Sequence, residues 1–238
     1  MSNIATATSP RRLSGNALKV IAATTMVVDH IGVVFFPYMA LFRIIGRLAF
    51  PIFAFMIAEG CHYTKNRLRY FLGIFLLGAV CQTVYFAVSG DTHMNILLNF
   101  SCSIVLIYLL QEWKARQSFV VMLPFAAAVA AAYVLNQYVQ LDYGFFGLMV
   151  PVLVAVAYPA RREPISELQH ILRVLALAIA LIPSVLEAPA LRWYCFFTIP
   201  LLLLYSGKRG KKNFKYGFYL FYPLHLAVLQ IIAWCIAA

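Results

Sequence analysis

Apolar runs of about bilayer length fill this sequence from near its start to its end, and they leave few folds open to it. A helix that crosses the hydrocarbon core of a membrane needs about 20 mostly apolar residues. Runs of that kind fall at roughly 17–37, 41–61, 68–89, 93–111, 118–137, 143–159, 168–186, 189–206 and 216–236. The connections are short, so consecutive spans are expected to pack as antiparallel neighbours. Between the seventh and eighth runs, "PSVLEAPALR" reads either as a tight turn or as a shallow re-entrant bend. A soluble domain is about half apolar and a quarter charged, whereas this chain is 63% hydrophobic and 11% charged. The expected fold class is all-α: a polytopic helical membrane protein of about nine transmembrane helices. Residues 1–238 are expected to form one transmembrane domain, with a polar cytoplasmic tail at 1–16. The run after that tail carries Lys19, Asp29 and His30 and ends without a small-residue cleavage site, so it is expected to be retained as a span.

The formal charge of +11 comes from 19 Lys and Arg against 8 Asp and Glu. In a soluble protein that balance would suggest nucleic acid, but here the basic residues follow the connections. The N-terminal edge has Arg11, Arg12 and Lys19. The second connection has Lys65, Arg67 and Arg69, the fourth Lys114 and Arg116, and the sixth Arg161 and Arg162. The eighth has Lys208, Arg209, Lys211, Lys212 and Lys215, whereas the odd connections have none. This is the positive-inside pattern, with a cytoplasmic N-terminus and an outer C-terminus. The charge is therefore read as orientation, with contact to anionic lipid headgroups at 208–215, and no nucleic-acid partner is expected. The cysteines at 61, 81, 102, 195 and 235 form no CxxC pair, and most lie in apolar runs. They read as small buried hydrophobes rather than metal ligands or a disulfide framework, and no metal is expected.

Topology leaves four basic residues unexplained: Arg43, Arg47, Arg173 and Arg192. Arg173 and Arg192 fall near span ends, where snorkelling is the expectation. "RIIGR" puts Arg43 and Arg47 at i and i+4 on one helical face, which calls for a counter-charge or an anionic ligand. On a helix rising 1.5 Å per residue, His30 lies roughly 20 Å from the inner end of the first span and Arg47 about 21 Å from that of the second. Asp29, His30 and Arg47 thus share one level. Left unpaired at mid-membrane, Asp29, Arg43 and Arg47 would cost together about 8–10 kcal/mol. They must pair or line a wet cavity, as a clamp between two helices or as a functional pocket.

Asp29 and His30 point about 100° apart on a helix, so Asp29 is expected to face the arginines and His30 a cavity. Lys19 precedes His30 by 11 residues, close to three whole turns, so the two align to within about 20°. Ala22, Ala23 and Met26 lie between them, and a smooth groove is expected, with a cation at its cytoplasmic mouth and an imidazole deep inside. Such a groove suits an extended ligand with an anionic head and a reactive tail. His225, roughly 14 Å from the inner end of the last span, follows Pro223, which loosens that helix; it is either a packing residue or part of the pocket. Glu59 and His62 either line the cytoplasmic mouth or form a solvated helix end. Asn95, Asn99 and Ser101 are either hydrogen-bond glue between helices or pocket lining. Asp142 is expected as the N-cap of the sixth span, with contact to an external substrate as the alternative.

Five segments, "SGNALKVIAATTMVVDHIG", "RIIGRLAFPIFAFMIAEGCHYT", "MNILLNFS", "DYGFFG" and "FYLFYPLHL", together resemble the TraX family, whose founding activity is N-terminal acetylation of conjugative pilin. They run from residue 14 to 226. That family is in turn similar to the wider transmembrane acyltransferases, including the acyltransferase-3 O-acetylases. Those carry an Arg, ten intervening residues and a catalytic His in the first span. Lys19 and His30 have that spacing here; Lys keeps the charge but loses the bidentate fork of Arg.

The resemblance implies an acyl-CoA-dependent N- or O-acetyltransferase. Acetyl-CoA or another acyl-CoA would enter from the cytoplasm with Lys19 near its phosphates. His30 would act as general base or brief acyl carrier. Arg43 and Arg47 would hold Asp29 or stabilise the oxyanion. An amine or hydroxyl acceptor, such as the peptide N-terminus of a pilin, would arrive from the outer side. A small-solute or proton-coupled transporter is the competing class; it would favour internal repeats and paired broken helices, and no repeat is found. A non-catalytic assembly scaffold is the third, and it would not need Lys19 and His30 on one face.

Overall fold

The computed structural model describes residues 13–90, 92–160, 163, 165–210 and 215–237. The expected contributions of Arg11, Arg12, Arg161, Arg162, Lys211 and Lys212 lie outside the described residues, as does most of the 1–16 tail. All named elements are helices: α1 (Gly15–Phe35), α2 (Ala40–Gly46), α3 (Ala49–Tyr63), α4 (Arg67–Ser89), α5 (Ile96–Arg116) and α6 (Phe119–Tyr138), then α7 (Gly144–Val156), α8 (Glu167–Glu187), α9 (Pro189–Arg192), a 3₁₀ turn (Trp193–Phe197), α10 (Thr198–Leu203) and α11 (Lys215–Ala237). Among the described residues, six stretches, with α2 and α3 counted together, are long and apolar enough to cross a membrane; 144–156, 190–203 and 220–236 are shorter apolar helices. The polytopic all-α expectation holds.

Helix α1 starts where Ser14 caps it, its hydroxyl accepting from the Ala17 amide. The second expected span is divided. Pro51 has no N–H to give the Arg47 carbonyl, so the ladder tightens there, with the Leu48 amide bonding to the Ile45 carbonyl instead. The "PSVLEAPALR" stretch is a tight turn: α8 runs through Pro183 to Glu187 and α9 begins at Pro189. Helix α7 is about 20 Å long, shorter than a hydrocarbon core. Its buried Leu148, Val150, Val152 and Val154 are walled by α3, α5 and α8. Irregular backbone at its ends is tolerable because protein surrounds it. Helices α3, α5 and α7 form the centre; α4, α6, α8 and α11 present apolar faces outward. Helix α11 packs on α1 and α4.

The basic residues of the even connections that can be placed gather at one end of the bundle. The Gly15 and Asn16 amides donate to the Lys208 and Arg209 carbonyls. Arg67 at the start of α4 pairs with Glu112 near the end of α5 at 2.5 Å. The Lys114 ammonium donates to the carbonyls of Val156 and Tyr158 after α7. The odd connections lie at the far end, where the Met94 amide donates to the Gln140 carbonyl and the Asp142 amide to the Met94 carbonyl.

Candidate functional site

Two polar centres sit inside the bundle. The first is toward the far end. Arg43 Nη1 donates to Asp29 Oδ2 at 2.7 Å, joining α2 to α1, with the side chains 33% and 20% exposed. Gly46 lets the helices meet: a Cβ there would come within 2.1 Å of Asp29 Oδ1. Asp29 Oδ1 itself has no hydrogen-bond partner among the described residues. Arg47 turns the other way, and its Nη1 donates to the Tyr143 hydroxyl at 3.2 Å. Tyr143 stacks on Phe50 with centroids 4.0 Å apart and carries the Arg192 guanidinium over its ring at 5.2 Å. It stands at φ 61° before α7, folded so closely onto Gly147 that a Cβ there would lie 2.3 Å from its own. Arg43 and Arg47, expected to share a face, thus serve different partners, because the ladder tightens between α2 and α3.

His30 lies beside this ion pair. Its Nδ1 is 3.2 Å from His225 Nε2, and His225 Nδ1 is 3.0 Å from the Phe221 carbonyl. A carbonyl only accepts, so in the neutral pair His225 carries its proton on Nδ1 and offers the Nε2 lone pair. His30 must then donate from Nδ1, with the Met26 backbone also in hydrogen-bond contact with the ring, which puts the lone pair on its own Nε2. His30 lines a cavity of about 390 Å³ with Val33, Tyr85, Asn95, Asp142 and Tyr222 among its walls. Asp142 does not cap α7; Tyr143 occupies that position, so the N-cap expectation fails. Its backbone carbonyl accepts from Asn99 Nδ2, which fixes the loop to α5. Asn95 proves to be glue: it caps α5 and its amide donates to the Gly78 carbonyl and Gln82 Oε1 of α4, while its residue also borders the cavity. Ser101 bonds back to the Leu97 carbonyl of its own helix.

The second centre is toward the basic end and is closed. Arg173, 1% exposed, donates to the Tyr158 hydroxyl at 2.7 Å and to His170 Nδ1 at 2.9 Å. His170 Nε2 lies 2.9 Å from the Leu202 carbonyl, which fixes the tautomer that accepts from Arg173. Glu59 accepts from the Tyr205 hydroxyl at 2.7 Å and lies 4.0 Å from Arg173. Glu59 and His62 are buried, so neither is part of a solvated helix end. Lys19 is within electrostatic reach of Glu59 and Arg209.

Three expectations are corrected here. Arg173 does not snorkel. The outward residues of α8 (Leu168, Ile171, Leu172, Leu175, Ile179, Ile182, Leu186) form an apolar stripe at helical spacing, and His170, Arg173 and Ser184 fall on the opposite, buried face. That stripe is the sequence signal that marks Arg173 as interior. Arg192 does not snorkel either; it bonds the Ser184 carbonyl at 2.8 Å as well as covering Tyr143. The groove expected between Lys19 and His30 is filled, because Ala22, Ala23 and Met26 are packed in the core. The two residues stay about 16 Å apart along α1, at separate centres. Of the other predicted residues, Asp29, Arg43, His225 and Asp142 gather around His30, Arg47 and Asn99 stand one layer behind, and Glu59 and Lys19 belong to the basic end. Cys61, Cys81 and Cys195 are buried as expected, while Cys102 is intermediate and Cys235 exposed; all five are free thiols.

No solved structure matches the chain. A protein of Dichelobacter nodosus described as "Probable fimbrial assembly protein FimC, serogroup H1" is 26% identical over 243 residues, covering 89% of this chain and 92% of that one. A Rickettsia prowazekii (strain Madrid E) protein described as "Uncharacterized protein RP591" is 37% identical over 65 residues, which is 27% of this chain and 24% of that one. The family described as "TraX protein" matches residues 14–233, nearly all of the helical bundle, and this chain belongs to the TraX family.

Proposed function

We propose that this protein is an acyltransferase of the bacterial cytoplasmic membrane that moves an acetyl or other acyl group from acyl-CoA to an amine or hydroxyl acceptor, with His30 as general base. The observation that carries the reading is the His30–His225 pair, which puts the lone pair on Nε2 of a histidine that lines a polar cavity. In the transfer, the acceptor N–H or O–H gives its proton to His30 Nε2 as the nitrogen or oxygen attacks the thioester carbonyl. The tetrahedral oxyanion forms within reach of Arg43, whose second amino group remains available while Nη1 holds Asp29. The C–S bond breaks, and the proton passes from His30 to the CoA thiolate. His225 is a positioning residue that holds the His30 ring. Lys19, at the basic end, would meet the phosphates of the donor. The packed face of α1 between Lys19 and His30 must then part for the pantetheine arm to reach His30.

A transporter would need a polar path joining the two centres. Ala22, Ala23 and Met26 fill the space along α1 with apolar side chains, which favours local chemistry over solute passage. The similarity to a Dichelobacter protein described as a probable fimbrial assembly protein makes a pilus-subunit peptide the first acceptor to assay. The test is incubation of the purified protein with radiolabelled acetyl-CoA. CoA release or acceptor labelling in the wild type, absent in His30→Ala, supports the enzyme. Solute flux in liposomes without acyl transfer supports the transporter and ends this reading.

A further inference from the structure

Beside the His30 cavity lies a second one of about 240 Å³, between α4 and α11, lined by Val84, Pro223, Ala227 and Ile231 as well as four residues of the first. Cys81, Tyr85, Leu226 and Gln230 border both, so the two spaces adjoin across a shared wall. The inner part is polar, with His30, Asn95 and Asp142; the outer part is apolar except for Gln230 and Tyr85 at the junction. Val84 is 38% and Ile231 61% exposed, so the outer part opens through the lipid-facing side of the bundle rather than into either aqueous phase. A helix about 10 Å across has a cross-section near 80 Å², so this space would take only about 3 Å of one, roughly two residues. A single hydrocarbon chain fits where a helix does not.

We propose that the α4–α11 cleft is a lateral portal that takes one apolar chain of a membrane lipid from the leaflet at the far end, so that the lipid's hydroxyl or amine headgroup lies at His30 as the acyl acceptor. The proposal rests on the acyl-transfer reading of His30 and names its acceptor class. The leaflet follows from the walls of the polar cavity, where His93, Met94, Asn95 and Asp142 come from the connections at the far end. A headgroup anchored there stands opposite the basic end, where the CoA phosphates would be held. The step balances as before: the headgroup O–H or N–H loses its proton to His30, the ester or amide bond forms as the thioester C–S bond breaks, and the proton leaves on CoA.

The test uses the full chain in nanodiscs of phosphatidylethanolamine and phosphatidylglycerol doped with a phospholipid bearing a mid-chain diazirine. After irradiation, adducts are mapped by mass spectrometry. The expected result is at least fivefold more adduct at Val84 and Ile231 than at Val134 of α6 or Ile179 of α8. Ala227→Trp, which fills the cleft, should remove that excess. Val84→Trp does the same from the α4 side if the first variant folds poorly. His30→Ala should leave the adducts in place, so loss of turnover and loss of the portal are read separately. Even labelling across all outward helices, or an excess that survives both tryptophans, overturns the proposal. Cleft labelling by a diazirine acyl-CoA but not by the phospholipid would assign the chain to the donor and overturn the acceptor class. Transfer to a pilus peptide with an unlabelled cleft would do so as well.

Discussion

The two buried centres use the same residue types and differ in how far they open to solvent or to a cavity. At the basic end, Arg173 has Tyr158, His170 and Glu59 around it, Tyr205 closes Glu59, and nearly every group is out of reach of solvent. At the far end, Asp29 and Arg43 remain partly exposed and His30 lines a cavity; each centre keeps buried atoms without a hydrogen-bond partner among the described residues, Asp29 Oδ1 and Arg47 Nε in one and Glu59 Oε1 and Arg173 Nε in the other. A polar network closed off from solvent rigidifies a core, whereas polar groups beside an open cavity are what a reacting ligand needs. Under the acyl-transfer proposal, the first centre is architecture and the second carries the chemistry.

The largest expected effect separates them most sharply. His30→Ala should lower acyl transfer by about 10²–10⁴-fold while the melting temperature in detergent stays near that of the wild type; full turnover in a folded variant would falsify the general-base role. Arg173→Ala should do the reverse. It strands the Glu59 carboxylate, and breaking a buried pair in this way costs on the order of 3–5 kcal/mol. The yield of folded protein should collapse, and a variant that melts like the wild type would show that this network does not hold the bundle. His225→Gln tests the positioning role: about 10²-fold lower kcat with unchanged KM is expected if the His30 ring is mis-set, and an equal loss at every pH would separate that from a lost proton carrier.

Asp29→Asn and Arg43→Gln should each destabilise the protein, and the double variant should recover much of the loss, with a coupling of about 1–3 kcal/mol in a double-mutant cycle. The same cycle between Asp29 and Arg47 should be near additive, because Arg47 bonds Tyr143 instead. Strong coupling to Arg47 would mean that the two arginines exchange partners. Lys19→Ala should have the smallest effect, a several-fold higher KM for acyl-CoA with kcat preserved, as for a contact made equally in ground and transition states. An unchanged KM would move the donor's phosphates away from the basic end.

Most of the helices could be read in advance, because each segment must supply its own hydrophobic length and its own backbone hydrogen bonds in lipid. Helical periodicity also put Asp29 toward an arginine and His30 toward a cavity. The division of the second span at Arg47 was open to reading too, since Pro51 stands four residues on. What periodicity could not tell was whether a face is open or packed. Lys19 and His30 do align along α1, yet Ala22, Ala23 and Met26 between them meet neighbouring helices and leave no groove.

By itself the sequence determined that this is a helical membrane protein with ionisable groups held at mid-depth, because apolar length and charge placement are local properties of the chain. Only the tertiary structure decided which groups meet. His30 and His225 are 195 residues apart in sequence, and Glu59 and Tyr205 are 146 apart. Such pairs depend on which helices become neighbours and how they are rotated about their axes. That choice is settled by packing across the whole bundle, where small residues such as Gly46 and Gly147 allow close approach and a tightened turn at Arg47 sends two adjacent arginines to different partners.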